Sequence, residues 1–354
     1  MLYNVIGTMS GTSLDGLDIA HCSFELHKNK WSFKVNSAST IYFPNSLLTN
    51  LTNSTNLSGL GLMKLHNELG NFIGNSVVDF IKSNNIDSNK IDCIASHGHT
   101  IFHQPEINLT TQIGSGANIS AITKLPVVCD FRTTDMALGG QGAPLVPIGD
   151  QLLFSAHDYC INLGGIANIS FEKSKQRIAF DICPVNIVLN NLAQQLGKPY
   201  DKNGDWAKSG NINTALLKAL NNLAFYKNLA PKSLGIEQIE ATVFPIINSF
   251  QTAVEDKLSS FVEHIAIQIS NTITATNKKV LLTGGGTFNS FLAERIMANT
   301  NNDIIIPSDQ IINFKEALIF AFLGVLRLRN ESNCLQTVTG AVSDNIGGCI
   351  YRAF

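Results

Sequence analysis

The sequence has no surplus of either charge. Its 354 residues carry 25 Lys and Arg against 27 Asp and Glu, a net charge of -2, and only 15% of the chain is charged. Without a basic face or an acidic tail, nucleic acid is disfavoured as a partner. Long hydrophobic runs are also missing. The longest, near 317–326, falls well short of the ~20 residues of a spanning helix, so no membrane partner is expected. Seven cysteines (Cys22, Cys93, Cys129, Cys160, Cys183, Cys334, Cys349) form no C-x-x-C pair and sit mostly inside apolar runs. They read as reduced core residues of a soluble, cytoplasmic protein. The phosphate-loop pattern G-x-x-x-x-G-K-[ST] is absent, as is a G-x-G-x-x-G followed by the acidic residue of a dinucleotide site.

Glycines and hydroxyls are concentrated in a few turns. Gly7 to Asp18 reads Gly-Thr-Met-Ser-Gly-Thr-Ser-Leu-Asp-Gly-Leu-Asp between two apolar, strand-like stretches. Backbone N–H groups and hydroxyls in such a turn suit phosphate oxygens, and an ordinary hairpin loop is the alternative. The pattern returns at Tyr159 to Phe171, where Gly164 and Gly165 separate two strands and Arg177 to Asp181 makes a third. This is a weak internal repeat of residues 2–42. A third turn, Thr283-Gly284-Gly285-Gly286, leads from a strand into a helix that begins after Asn289. It leaves room for a bulky planar group or a ribose-phosphate. The length suits about two domains.

Between the turns, apolar spacing predicts helices over 60–82, 187–196, 216–223, 253–273 and 314–328, with residues 45–58 as an Asn-, Ser- and Thr-rich loop. His97, His99 and His103 alternate at the end of an apolar strand. Substrate hydrogen bonding or structural use is favoured there over zinc, because no carboxylate or cysteine completes a ligand spacing. Arg132 stands between Asp130 and Asp135, either as an anion or sugar-hydroxyl site or as an ion pair bracing the loop. Asp181, ahead of a helix, is either a helix cap or a carboxylate poised at a cleft. Glu316 begins an apolar helix as a dipole partner or a cleft-facing acceptor.

Two lobes that each begin with a glycine hairpin, followed by a late Gly-rich turn, resemble the actin, hexokinase and heat-shock chaperone superfamily. Seven motifs are more specific: 9–18, Ser-His-Gly-His-Thr (96–100), Asp-Phe-Arg (130–132) with 139–147, Asn-Leu-Gly-Gly-Ile-Ala-Asn-Ile (162–169), Pro-Lys-Ser-Leu-Gly (231–235), Thr-Gly-Gly-Gly (283–286) and Val-Thr-Gly-Ala (338–341). Together they resemble the anhydro-N-acetylmuramic acid kinases over nearly the whole chain.

The resemblance implies an α/β fold of two related domains, each a central mixed sheet flanked by helices, with ATP in the interdomain cleft. The domains would cover 1–148 and 149–354, the C-terminal helix packing back on the first. It implies ATP-driven opening and O6 phosphorylation of 1,6-anhydro-N-acetylmuramic acid in cell-wall recycling, with Asp181 as the base. Gly11, Thr12, Ser13, Leu14, Asp15, Gly16, Leu17 and Asp18 would hold the triphosphate with Gly164, Gly165 and Asn168. Gly284, Gly285, Gly286 and Asn289 would face the adenosine, and His97, Thr100, Arg132 and Glu316 the sugar. Mg²⁺ would ride on the phosphates without a dedicated ligand cluster, and the protein would be a homodimer. A kinase of another sugar and a non-catalytic ATP-binding sensor or assembly protein are the alternatives. The chain departs from the family pattern Asp-Thr-Gly-Pro-Gly-Asn, with Asp181-Ile182-Cys183-Pro184-Val185-Asn186 in its place, which bears on γ-phosphate approach. His99 replaces a common Gln and Ile236 a common Arg.

Overall fold

The first 41 residues build an antiparallel meander whose first strand is buried on both faces from Val5 to Thr8. Strands β1 (Leu2–Ser10), β2 (Leu17–His27) and β3 (Lys30–Ile41) pair in succession, with Val5, Ile6, Leu17, Ile19 and Phe24 all buried. The computed structural model describes residues 1–352, and the chain divides into two units. Unit 1 comprises Met1–Leu153 and the chain from Phe314 onward; unit 2 comprises Phe154–Asn313.

In unit 1, β4 (Cys93–Gln104) runs parallel to β1 and β6 (Val127–Cys129) parallel to β4, while β5 (Leu109–Ile113) folds back antiparallel on the far end of β4. A C-terminal strand, Cys349–Tyr351, closes the β6 edge. The helix Gly59–Ser83 places Leu65, Leu69, Ile73, Val77 and Phe80 at helical spacing in the same apolar core as Ile6, Ile19 and Ile94. The longest apolar run lies in the helix Asp309–Leu328, where Ala317 to Leu323 are all nearly inaccessible. This helix meets β1 and β4 so closely that a Cβ on Gly7 would lie 2.0 Å from the Ala317 carbonyl oxygen, and one on Gly324 2.7 Å from Ala95 Cβ. Only glycine permits such backbone contact.

In unit 2, β7 (Tyr159–Leu163), β8 (Ile166–Lys173) and β9 (Gln176–Pro184) form a second antiparallel meander. β10 (Lys279–Thr283) runs parallel to β7, and β11 (Asp303–Ile305) parallel to β10. The spatial order 3-2-1-4-6 of unit 1 therefore recurs as 9-8-7-10-11. The faint repeat in the sequence is a repeat of topology, and each unit has the mixed sheet with helices that the resemblance implies. Helix Val254–Thr272 forms much of the unit 2 core through Leu258, Phe261, Val262, Ile265 and Ile269.

Two local expectations are corrected. Residues 45–58 are not all loop: Asn45–Thr52 is a helix, because Leu47 and Leu51, one turn apart, are both buried. The cysteines are all free, but Cys349 is exposed on the C-terminal strand rather than in the core.

Candidate active site

Within unit 1, the hairpin loop between β1 and β2 is a tight turn in which Leu14 N–H donates to the Gly11 carbonyl at 3.1 Å and Leu14 takes φ 57°. Thr12, Ser13 and Asp15 are exposed, Gly11 and Leu14 half-buried, and Gly16 is buried. Leu17 lies wholly in the core, so its side chain has no ligand-facing role. Asp18, half-buried, accepts a 2.6 Å hydrogen bond from Thr40 Oγ1. Burial raises its carboxyl above the ordinary range; the Thr40 bond opposes this and the charge of Asp15 adds to it.

The β4 residues expected at the sugar are held by separate partners. Arg132 donates from Nε and Nη2 to His97 Nε2 at 3.1 and 3.0 Å, and from Nη1 to the Gly142 carbonyl at 2.8 Å. His97 Nδ1 in turn lies 3.0 Å from the Gly98 carbonyl. An oxygen acceptor on one side and a cation on the other fix a neutral ring with its proton on Nδ1. Burial and then the Arg132 charge hold the His97 pKa well below its ordinary value. Burial likewise lowers Arg132, to about 10, with Glu316 opposing. Arg132 is thus no brace to its flanking carboxylates: Asp130 accepts from Thr133 Oγ1, and Asp135 binds Gly142 N–H, Cys334, Thr339 and Asn345.

His99 Nδ1 pairs with Ser10 Oγ at 3.0 Å, and His103 Nδ1 with Thr110 Oγ1 at 3.2 Å. Half-buried Thr100 accepts from Gln112 Nε2 at 3.3 Å. Among the described residues no three His, Cys, Asp or Glu are grouped to hold a metal. Glu316 is exposed, yet the protein packed around it partly desolvates its carboxyl. Desolvation raises its pKa first, Arg132 lowers it, and Asp18 raises it. Asp18, Arg132 and Glu316 therefore share one electrostatic neighbourhood.

In unit 2, Asp181 is not a helix cap. It lies inside β9, while the next helix, Asn186–Gln195, starts after Val185 with no side-chain cap. Asn168, exposed on β8, is its register partner, but Ala167 pairs with Cys183, leaving Ile182 as an extra residue on β9. Such a bulge re-aims the side chains around it. Asp181 Oδ2 accepts from Leu234 N–H at 2.9 Å and from Ser233 Oγ at 3.3 Å. Burial raises its pKa, with those two donors opposing. The Pro-Lys-Ser-Leu-Gly motif was the available signal for these donors, although local periodicity does not show which residue they serve. Cys183 and Val185, the departures from the family pattern, are both fully buried. Their side chains pack in the core. Burial pushes the Cys183 thiol far up its range, which makes it inert as a nucleophile.

Gly164 and Gly165 form the two-residue turn between β7 and β8, and their carbonyls accept from Asn186 N–H at 3.2 Å and Val185 N–H at 2.8 Å. The segment after Asp181 is thereby tied to the second hairpin. The three late glycines divide by role. Gly284 has φ +82°, and a Cβ there would lie 2.5 Å from Asn162 Oδ1; one on Gly286 would lie 2.9 Å from Leu163. Gly285 alone faces open space. Asn289 caps the helix Ser290–Ala298, accepting from Leu292 N–H at 2.9 Å. Gly284→Ala is therefore expected to destabilise unit 2 by about 1–3 kcal/mol, while Gly285→Ala folds normally. Thermal unfolding of both variants checks this, and equal losses would contradict the division of roles.

A family model described as anhydro-N-acetylmuramic acid kinase matches residues 3–353. Proteins named anhydro-N-acetylmuramic acid kinase align end to end with the chain. That of Sulfurovum sp. (strain NBC37-1) is 35% identical over 364 aligned positions, covering 98% of both chains. Those of Pasteurella multocida and Photobacterium profundum are 35% and 33% identical, covering 98% of this chain and 96% and 98% of theirs. With hairpins, topology and alignment concordant from end to end, the chain belongs to the anhydro-N-acetylmuramic acid kinase family.

Proposed function

We propose that the protein is an ATP-dependent kinase that opens 1,6-anhydro-N-acetylmuramic acid with water and phosphorylates O6, giving N-acetylmuramic acid 6-phosphate and ADP in cell-wall recycling. The observation that carries the chemistry is Asp181, a carboxylate with one oxygen fixed by two donors and its pKa raised by burial. Such a group is suited to take a proton from water. As the water oxygen bonds to the anomeric carbon, its proton passes to Asp181 and the C1–O6 bond breaks. O6 then bonds to the γ-phosphorus, and the β,γ-bridging oxygen leaves with ADP.

In this reading Gly11 to Asp18, Gly164, Gly165 and Asn168 hold the phosphates by backbone N–H groups and polar side chains, with Leu17 contributing backbone only. Gly285 supplies the open face on the adenosine side, and Gly284, Gly286 and Asn289 shape the turn. Thr100, Arg132 and Glu316 hold the sugar, and His97, with both ring nitrogens already engaged, acts by orienting Arg132. His97 presents no spare acceptor at Nε2 because Arg132 occupies it, so the guanidinium reaches the ligand already oriented. The carboxylates of Asp15 and Asp18, one exposed and one half-buried in the hairpin, fit Mg²⁺ carried on the phosphates. When bound, Mg²⁺ neutralises phosphate charge. The family resemblance supports a cytoplasmic homodimer, for which light scattering should return twice the chain mass.

Incubation with Mg-ATP and the anhydro-sugar should yield ADP and sugar 6-phosphate in equal amounts. Bound ATP with no sugar phosphate would refute the assignment. Because the base works only when ionised and its pKa lies above the ordinary aspartate value, kcat should fall as pH drops through that raised pKa. Activity that stays flat down to about pH 4 would remove Asp181 from the role.

A further inference from the structure

The Pro-Lys-Ser-Leu-Gly turn contains a lysine that the reaction above does not use. We infer that Lys232 is a positioning residue for Asp181: fixed on an aromatic pair, it holds the 232–234 loop in the geometry that hydrogen-bonds the carboxylate. This rests on the reading of Asp181 as the base.

The loop and the strand are joined at three points. Asp181 N–H donates to the Lys232 carbonyl at 2.9 Å, and Ser233 Oγ and Leu234 N–H both donate to Asp181 Oδ2. Leu234 is buried and anchors the far end of the loop. The near end depends on the Lys232 side chain. Its Nζ donates to the Phe225 carbonyl at 3.0 Å and lies 4.4 Å from the Phe225 ring centroid and 5.7 Å from that of Tyr226. A partly desolvated cation over an aromatic face is a stable anchor. Tyr226 is itself fixed: its hydroxyl pairs with His264 Nε2 at 2.8 Å, His264 Nδ1 with Asn221 at 2.6 Å, and Gln268 with the same Asn221 oxygen at 2.8 Å. His264 is fully buried and held neutral, its pKa down to about 3. The ammonium is thus directed into the protein, whereas a lysine serving phosphate keeps it free.

The groups around Asp181 leave this mechanical route as the connection. Asn168 across the sheet is neutral, and Cys183 on the same strand is a buried thiol. Burial raises the Asp181 pKa and the two loop donors oppose it. Lys232 senses burial and Cys183. Loss of the anchor would release the donors, and both bonds favour the ionised carboxylate.

The test is the pH dependence of kcat for the full-length enzyme with Mg-ATP and the anhydro-sugar. Lys232→Met should lower kcat about 10- to 100-fold through misplacement of the base and move the acid limb to higher pH. The KM for ATP should stay within about twofold. Ser233→Ala, which removes one donor and leaves the anchor, should move the limb in the same direction by less. Lys232→Arg, which keeps both the cation over the ring and a donor to the carbonyl, should restore the limb. A raised KM for ATP with an unmoved limb would make Lys232 a phosphate ligand and overturn the inference. If Lys232→Met does not fold, an unrestored limb in Lys232→Arg or an unmoved one in Ser233→Ala overturns it equally. A wild-type enzyme that makes no sugar phosphate would instead refute the function on which this rests.

Discussion

Asp181→Asn is expected to lower kcat by about 10²–10⁴, the usual contribution of a general base, with ATP binding unchanged. The substitution keeps the size of the side chain and an oxygen able to accept from Leu234 N–H, which now lies at 2.9 Å. It removes only the capacity to take a proton. The residue stands on β9, tied through Gly164 and Gly165 to the second hairpin, so the fold around it should survive. Nucleotide titration and turnover measured on the same preparation separate the two properties. A variant that keeps more than a tenth of wild-type kcat would show that another group, or none, activates the water. A variant that loses ATP binding as well would place Asp181 in the nucleotide site.

Asp135→Ala is expected to destabilise unit 1 by on the order of 3–5 kcal/mol, through the loss of several hydrogen bonds to a buried carboxylate. Asp135 is fully buried and accepts from Gly142 N–H at 2.8 Å, Thr339 Oγ1 at 2.8 Å, Asn345 Nδ2 at 2.8 Å and Cys334 Sγ at 3.0 Å. These donors come from two distant stretches of chain, and alanine would strand them together. The effect reaches the sugar site as well. Gly142 N–H binds Asp135 while the Gly142 carbonyl binds Arg132, so this one residue links the carboxylate to the guanidinium. Denaturant unfolding should show the loss of stability, and the KM for the sugar should rise with that for ATP unaffected. A change below about 1 kcal/mol would mean that the four bonds are readily replaced by water.

Much of the architecture was legible in the residues because it depends on local pattern. Apolar stretches broken by glycine turns marked the two hairpins, and helical spacing marked the helix Gly59–Ser83. What was not legible depends on partners far apart in the chain. Arg132 sits between two aspartates in sequence, yet it bonds to His97, 35 residues away. Asp181 reads as a residue before a helix because Ile182, Cys183, Pro184 and Val185 are buried in succession. The extra residue at Ile182 hides the strand's period of two. Cys183 and Val185, which depart from the family pattern beside Asp181, have their side chains packed in the core. The helix Asn45–Thr52 was concealed by its Asn and Thr content, which favours turns unless burial of Leu47 and Leu51 outweighs it.

Unit 2 is an insertion in the chain of unit 1, which leaves at Leu153 and resumes at Phe314. During synthesis the ribosome delivers every residue of unit 2 before the helix Asp309–Leu328 that covers Gly7 is complete. The N-terminal sheet must therefore wait, one face uncovered, through about 160 residues of translation, or roughly 8–30 s at ordinary elongation rates. Unit 2 should mature first although it comes second. Nascent chains stalled after residue 313 and treated briefly with protease should show 154–313 protected and the N-terminal segment cleaved; the reverse order of protection would rule out this sequence of events. The exposed sheet face is the stage at which a chaperone has most to bind.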